Sequence, residues 1–137
     1  MTVSRIQRSF DAQALMATFN ARITAHSAGK VEISAPILAL ATQQHGVGHA
    51  GLTFALADTA AGYAALTLMP EGREVMTVEA KINLLAPASG DLLIARGEVV
   101  RSGRRLSVVR ADVFAVRNGV ETLIAILQGS MIPVDPA

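Results

Sequence analysis

The chain has 137 residues, a formal net charge of +1 and no cysteine, and its residues are 51% hydrophobic, 17% charged and 4% aromatic. This length suits one domain, and the absence of cysteine excludes disulfides, thiolate nucleophiles and cysteine-ligated metal sites. The small net charge and few aromatic side chains argue against nucleic-acid binding, so we expect no nucleic-acid partner. The hydrophobic content predicts that part of the surface is buried in an oligomer.

Two segments bear on targeting. Residues 1–8 contain two arginines with no apolar stretch after them, so we expect no signal peptide and a cytoplasmic location. Residues 50–69 carry one charge, Asp58, and their length would suit a membrane span. A carboxylate near the middle of a span costs about 2.5–3.5 kcal/mol, and Ala, Gly and Thr compensate poorly. We therefore expect a buried helix and no membrane partner.

Helices and strands follow one another in a simple order. An N-terminal helix is predicted at about residues 10–19, where four apolar residues share one stripe: Phe10, Ala14, Leu15 and Phe19. Residues 20–26 and 30–35 alternate apolar with polar side chains, which is typical of a hairpin. A central helix is predicted at about residues 49–68, ending before a proline and a glycine. Residues 74–132 read as a strand meander of four strands, with Asn118-Gly119 as a hairpin turn.

This order predicts the fold class. Helices and strands do not alternate, so a parallel sheet is disfavoured. We expect a single α+β domain over residues 1–137, with one antiparallel sheet packed on the central helix. Strict alternation in the first strand of the meander would put apolar residues on one face and Thr77, Glu79, Lys81 and Asn83 on the other.

Two common motifs match only in part. Gly46, Gly48 and Gly51 have the spacing of a dinucleotide-binding loop, but no βαβ unit surrounds them, so we interpret the match as accidental. His45 and His49 have the spacing of metal ligands on a helix, but no third ligand is evident. We expect no metal.

Asp58 is the residue of the central helix whose position calls for an explanation. Its helical neighbours are mostly small, while apolar residues on the opposite side are interpreted as core: Leu52, Leu56 and Tyr63. A partly desolvated carboxylate there is a candidate general base, and the alternative is a carboxylate held by a hydrogen bond from a neighbouring strand. The glycine-rich start of the helix favours the first interpretation, because uncovered N-terminal amides can bind an oxyanion.

Distance along the helix predicts where such a site would form. Asp58 lies about 12 Å along the axis from Ala50, so the amides of one chain cannot easily act together with its own Asp58. A symmetric dimer could bring the amides of one chain to the Asp58 of the other.

These residues resemble the hot-dog-fold acyl-CoA thioesterases of the phenylacetic-acid-degradation type. In that family an Asn is followed three residues later by a Gly, and then by His-Gly-Gly opening a helix that carries an Asp or Glu. The corresponding run here is residues 43–60, QQHGVGHAGLTFALADTA. The resemblance continues through residues 76–79, 83–88 and 102–104, and spans about residues 20–133.

The resemblance implies a fold, an activity and catalytic residues. The fold is an antiparallel sheet wrapped around one long central helix, and the activity is hydrolysis of an acyl-CoA thioester to a carboxylic acid and CoA. Asp58 would act as base or nucleophile. Gln43, in place of the family Asn, would orient the water or the thioester, and Thr77 would position the water. His49 matches a family His whose role is more often structural or helix-capping.

The resemblance also implies substrate-binding residues. The N–H of Ala50 would polarise the thioester carbonyl, and Gly51 would permit close approach. Because Ala50 replaces a family glycine, a positive φ there would be strained. Arg104 and Arg105 lie at a turn with arginines on the adjoining strands, and would bind the nucleotide end of CoA. The alternative is an ordinary solvated turn.

No metal or redox cofactor is implied, and CoA enters only as part of the substrate. We expect a homodimer or homotetramer with sites at the subunit interface. Two other functions stay open on the same fold: a non-catalytic acyl-CoA-binding or sensor protein, and a dehydratase or hydratase that uses a histidine near the helix start.

Overall fold

The computed structural model describes residues 4–137. Two short helices precede the sheet and the long helix, and a single 3₁₀ turn lies at Ala39–Ala41. The elements are α1 (Arg5–Asp11), α2 (Ala14–Thr18), β1 (Arg22–Ser27), β2 (Lys30–Pro36), α3 (Ala50–Leu66), β3 (Glu74–Leu84), β4 (Leu92–Ser102), β5 (Ser107–Arg117) and β6 (Val120–Val134).

The N-terminal segment differs from the single helix predicted at residues 10–19. It forms α1 and α2, separated at Gln13, whose backbone is extended. The break lets both pieces turn an apolar side to the core, so Phe10 and Met16 are buried while Leu15 is half exposed. The predicted stripe ran across this break, because spacing alone does not reveal where a helix stops and restarts.

The six strands form one antiparallel sheet in the order β1-β2-β4-β5-β6-β3. The predicted meander is therefore wrong at its first strand: β3 pairs with β6 at the sheet edge instead of lying beside β4. Strand β4 already has β2 on one side and β5 on the other, so neither of its edges is free. The free edge of β6 receives β3.

The long helix α3 crosses the inner face of the sheet and contributes Leu52, Leu56 and Leu66 to the core. Gly97 of β4 allows this packing, since a Cβ there would lie 2.3 Å from the backbone carbonyl of Ala60. A sheet wrapped around one long helix is the hot-dog fold, which confirms the predicted α+β class. Among residues 4–137, no helix combines the length and apolar character needed to cross a membrane.

Candidate active site

Asp58 and Thr77 meet across the interface between helix and sheet. The Thr77 hydroxyl donates a hydrogen bond of 2.7 Å to Oδ1 of Asp58, which is half-buried on α3. A β-bulge in β3 makes this possible: Thr77 is opposite Met131, but the next paired residue, Glu79, is opposite Ser130. The extra residue, Val78, shifts the alternation. Thr77 therefore faces the helix, and the predicted grouping of Thr77 with Glu79 on one face is wrong.

A cavity of about 120 Å³ opens beside this pair. We call it the carboxylate cavity, and it is lined by Gln13, Asp58, Thr59, Gly62, Tyr63, Val75, Thr77 and Met131. Of these lining residues, the sequence analysis predicted only Asp58 and Thr77 as site residues. No local pattern marks Gln13 or Met131 as neighbours of Asp58, because both reach the cavity through long-range packing.

At the start of α3 a side chain caps one amide and leaves another free. Nδ1 of His49 accepts a hydrogen bond of 2.7 Å from the N–H of Gly51. A Cβ at Gly51 would lie 3.0 Å from that nitrogen, so the glycine leaves room for the imidazole. Within residues 4–137 the N–H of Ala50 has no hydrogen-bond partner. Ala50 does not have the positive φ that would be strained, because the non-glycine residues with positive φ among residues 4–137 are Asn20 and Asn118.

The free amide lies in a second cavity, of about 470 Å³. We call it the amide cavity, and it is lined by Gln43, Val47, Gly48, His49, Ala50, Thr53 and residues 84–88. Oε1 of Gln43 accepts a hydrogen bond from the N–H of His45 in the same loop. The amide nitrogen of Gln43 therefore stays available as a donor, and Gln43 lines the same cavity as Ala50.

The two cavities have no lining residue in common. The structure thus brings Asp58 to Thr77, and Gln43 to His49, Ala50 and Gly51, but it keeps the two groups apart within one chain. By the helical rise they are separated by about 12 Å.

The predicted arginines lie at the turn between β4 and β5 and on these two strands. Arg104 and Arg105 are exposed in the turn between β4 and β5 and line neither cavity. Arg96 points to the outer face of the sheet, where it makes two hydrogen bonds of 2.8 Å to Glu121 and one of 2.9 Å to Glu32. It also lies 4.8 Å above the ring of Phe114. These contacts occupy the Arg96 guanidinium, so it is not free for a phosphate.

The outer-face network perturbs its own carboxyl groups. Hydrogen bonds from Thr24 and then from Arg96 lower the pKa of Glu32 below its usual value. The hydrogen bonds from Arg96 likewise lower the pKa of Glu121. This charge network lies on the sheet face opposite α3, where it links side chains of β2, β4 and β6.

Comparison with known proteins identifies the family. The model of the Thioesterase superfamily matches residues 45–122, which is more than half of the chain. The chain belongs to the thioesterase superfamily. A candidate esterase of Halobacterium salinarum is 30% identical to it over an alignment of 134 residues, which covers 91% of this chain and 87% of that protein.

The chain is also similar to solved structures. A thioesterase family protein from Silicibacter pomeroyi has 42% identity and a TM-score of 0.93, with 96% of each chain covered. A Bacillus halodurans protein crystallised with CoA has 25% identity and a TM-score of 0.81, covering 92% of this chain and 82% of that one. Membership supports thioester hydrolysis as the general activity. The phenylacetic-acid subtype, the acyl-CoA substrate and the roles of individual residues stay predictions.

Proposed function

We propose that this thioesterase hydrolyses acyl-CoA thioesters at sites that two copies of the chain build together. The observation that carries the proposal is the separation described above. A carboxylate with a hydroxyl partner and a free helix amide both belong to α3, yet they open into different cavities. One thioester carbonyl can meet both groups only if they come from two chains.

The edge strand β3 offers a way to join them. Its first half borders the carboxylate cavity through Val75 and Thr77, and its end borders the amide cavity through Leu84. Several of its apolar side chains are exposed, including Met76 at 58% and Val78 at 54%. Exposed apolar edges favour pairing with another strand. Antiparallel pairing of β3 with its copy around a two-fold axis would set the start of one strand beside the end of the other.

In such a site the groups have complementary tasks. The N–H of Ala50 and the side-chain amide of Gln43 would donate to the thioester oxygen as it gains negative charge, aided by the helix dipole. Asp58 of the other chain would take a proton from an attacking water, with Thr77 holding the carboxylate in place. As the alternative, Asp58 attacks the carbonyl itself and water hydrolyses the resulting anhydride. Both routes release the CoA thiol and a carboxylic acid.

The remaining predicted residues act outside the reacting atoms. His49 would fix the start of α3 through its cap to Gly51. Arg104 and Arg105 would bind phosphates of CoA, as the resemblance implies. The phenylacetic-acid-degradation subtype and assembly as a dimer or tetramer are part of the same proposal. The chemistry needs only protein groups and water, so no metal or redox cofactor enters.

The test is thiol release from short, medium and aromatic acyl-CoAs by the wild type and by Asp58→Asn. We expect turnover of at least one thioester and a loss on the order of a hundredfold or more in the variant. Asp112→Asn is the matched control, because Asp112 is also half-buried but lies on the outer face, away from both cavities. Binding of acyl-CoA without thiol release by the wild type would overturn the proposal in favour of a sensor.

A further inference from the structure

The wall of the carboxylate cavity beyond Asp58 is polar. It includes Gln13, from the break between α1 and α2, and Tyr63, from α3. Tyr63 is almost entirely buried, yet its hydroxyl contacts two polar side chains, with Oη 2.7 Å from Nε2 of Gln13 and 3.1 Å from Oγ of Ser9. These two residues give the cavity a fixed polar end.

Hydrogen-bond accounting assigns a direction to each contact. The Ser9 hydroxyl donates to Oε2 of Glu74 at 3.1 Å, so its oxygen accepts from the Tyr63 hydroxyl. The proton of Tyr63 is thereby used, and its oxygen must accept from the amide nitrogen of Gln13. The chain of donors ends at a carboxylate, which fixes the orientation of the Gln13 amide. Among residues 4–137, Oε1 of Gln13 has no hydrogen-bond partner and is a free acceptor.

This polar wall is anchored at the C-terminal end of α3. The guanidinium of Arg5 donates to the carbonyls of Leu66 and Met69, both at 2.6 Å. These are carbonyls at and just beyond the end of the helix, where a cation is favourable. The ring of Phe10 also lies 6.2 Å from that of Tyr63. The segment that carries Gln13 is therefore docked along α3 as part of the cavity.

We propose that Gln13 and Tyr63 select the acyl group, and that the preferred substrate is a short acyl thioester whose far end carries a hydroxyl. The proposal rests on the thioesterase function proposed above. The cavity volume of 120 Å³ is slightly below the ~150 Å³ that holds a benzene molecule, so it suits about six non-hydrogen atoms beyond the carbonyl. Tyr63 is five residues after Asp58, about 7.5 Å along the helix axis, which matches an acyl chain of that length.

The free acceptor supplies the selectivity. A hydroxyl at the end of the acyl chain would donate to Oε1 of Gln13. A methyl group in the same place would cover the acceptor of this half-buried side chain without giving it a partner. Sites built to hydrogen-bond a hydroxyl discriminate strongly against the analogue that lacks it.

The test compares kcat/KM for 6-hydroxyhexanoyl-CoA and heptanoyl-CoA, which differ by a hydroxyl against a methyl group at the chain end. We expect the wild type to prefer the hydroxylated substrate by about tenfold or more. Gln13→Leu keeps the side-chain size but removes the acceptor, and should reverse the preference. Tyr63→Phe releases the Gln13 amide and should weaken the preference while hydrolysis continues. The matched control is Gln7→Leu on α1, outside the cavity, which should keep the wild-type ratio.

The outcomes separate this proposal from the one it rests on. Hydrolysis of both substrates with the same ratio in wild type and Gln13→Leu would overturn the selective role of Gln13 and leave the thioesterase function intact. A reversed ratio in the Gln7→Leu control would also overturn it, because the effect would then not come from the cavity. Failure of the wild type to hydrolyse any thioester would overturn both.

Discussion

Two variants, each inactive alone, should restore activity when their subunits mix. Ala50→Pro removes the free N–H that the proposed site uses, and proline is well tolerated at the first position of a helix. Its predecessor, His49, has an extended backbone with φ −63° and ψ 145°, as a residue before proline requires. The helix should therefore form normally. Loss of one oxyanion donor should lower kcat by about 10²–10³.

The fraction of activity recovered on mixing Ala50→Pro with Asp58→Asn can be calculated. In a mixed dimer, one site lacks both the N–H and the carboxylate, and the other site has both. Random pairing of equal amounts makes about half of the dimers mixed, and half of their sites are intact, so about one quarter of wild-type activity should return. The assay is thiol release after the two proteins are dissociated together and reassembled. The melting temperature of each variant checks that it is folded.

A site contained in one chain would behave differently. Every chain in the mixture carries one defect, so no recovery would occur even where native mass spectrometry shows mixed dimers. That result would refute the assignment of the two cavities to a shared site. Mixing Ala50→Pro with Asp112→Asn controls for the yield of active enzyme after reassembly, because every chain supplies Asp58, half of the sites have an intact amide, and about half of wild-type activity should return.

Three further predictions follow from the contacts. Thr77→Val removes the hydrogen bond to Asp58 and should lower kcat about tenfold or more, with little change in KM, measured by thiol release. Gly97→Ala drives a methyl group into the backbone of α3 and should cost about 3 kcal/mol, which calorimetry would record as a melting temperature lower by roughly 10 °C. The pKa of Glu32 lies below its usual 4.5 in the folded protein, so its contribution to stability is present above pH 4.5 and is lost as the pH falls through the folded value. Glu32→Gln, which cannot titrate, should make the loss of stability on acidification shallower in urea titrations, and an unchanged slope would contradict the role of the bonds from Thr24 and Arg96.

Local patterns in the sequence were sufficient to predict the central helix, which carries the candidate site. The central helix was predicted at residues 49–68 and runs from Ala50 to Leu66. Its start and the carboxylate on it follow from neighbours within a few residues, whereas the capping role of His49 was implied by the family resemblance. The 12 Å between Ala50 and Asp58 also follows, because a helix fixes distance by residue count.

Contacts between distant segments were decided by tertiary structure. Alternation assigned Thr77 to the wrong face, because a bulge depends on the strand opposite and leaves no mark on the bulged strand itself. Strand β3 lies beside β6 because β4 is already paired with β2 and β5, whereas β6 has a free edge.

The sequence by itself determined the class of fold, the helix with its free amide and carboxylate, and the family resemblance, since each depends on spacing along the chain. Only the tertiary structure decided that Thr77 holds Asp58, that the amide and the carboxylate open into separate cavities, and that Gln13 lines one of them. The physical reason is that helix and strand periods act over a few residues, whereas a cavity is built where segments far apart in sequence pack together.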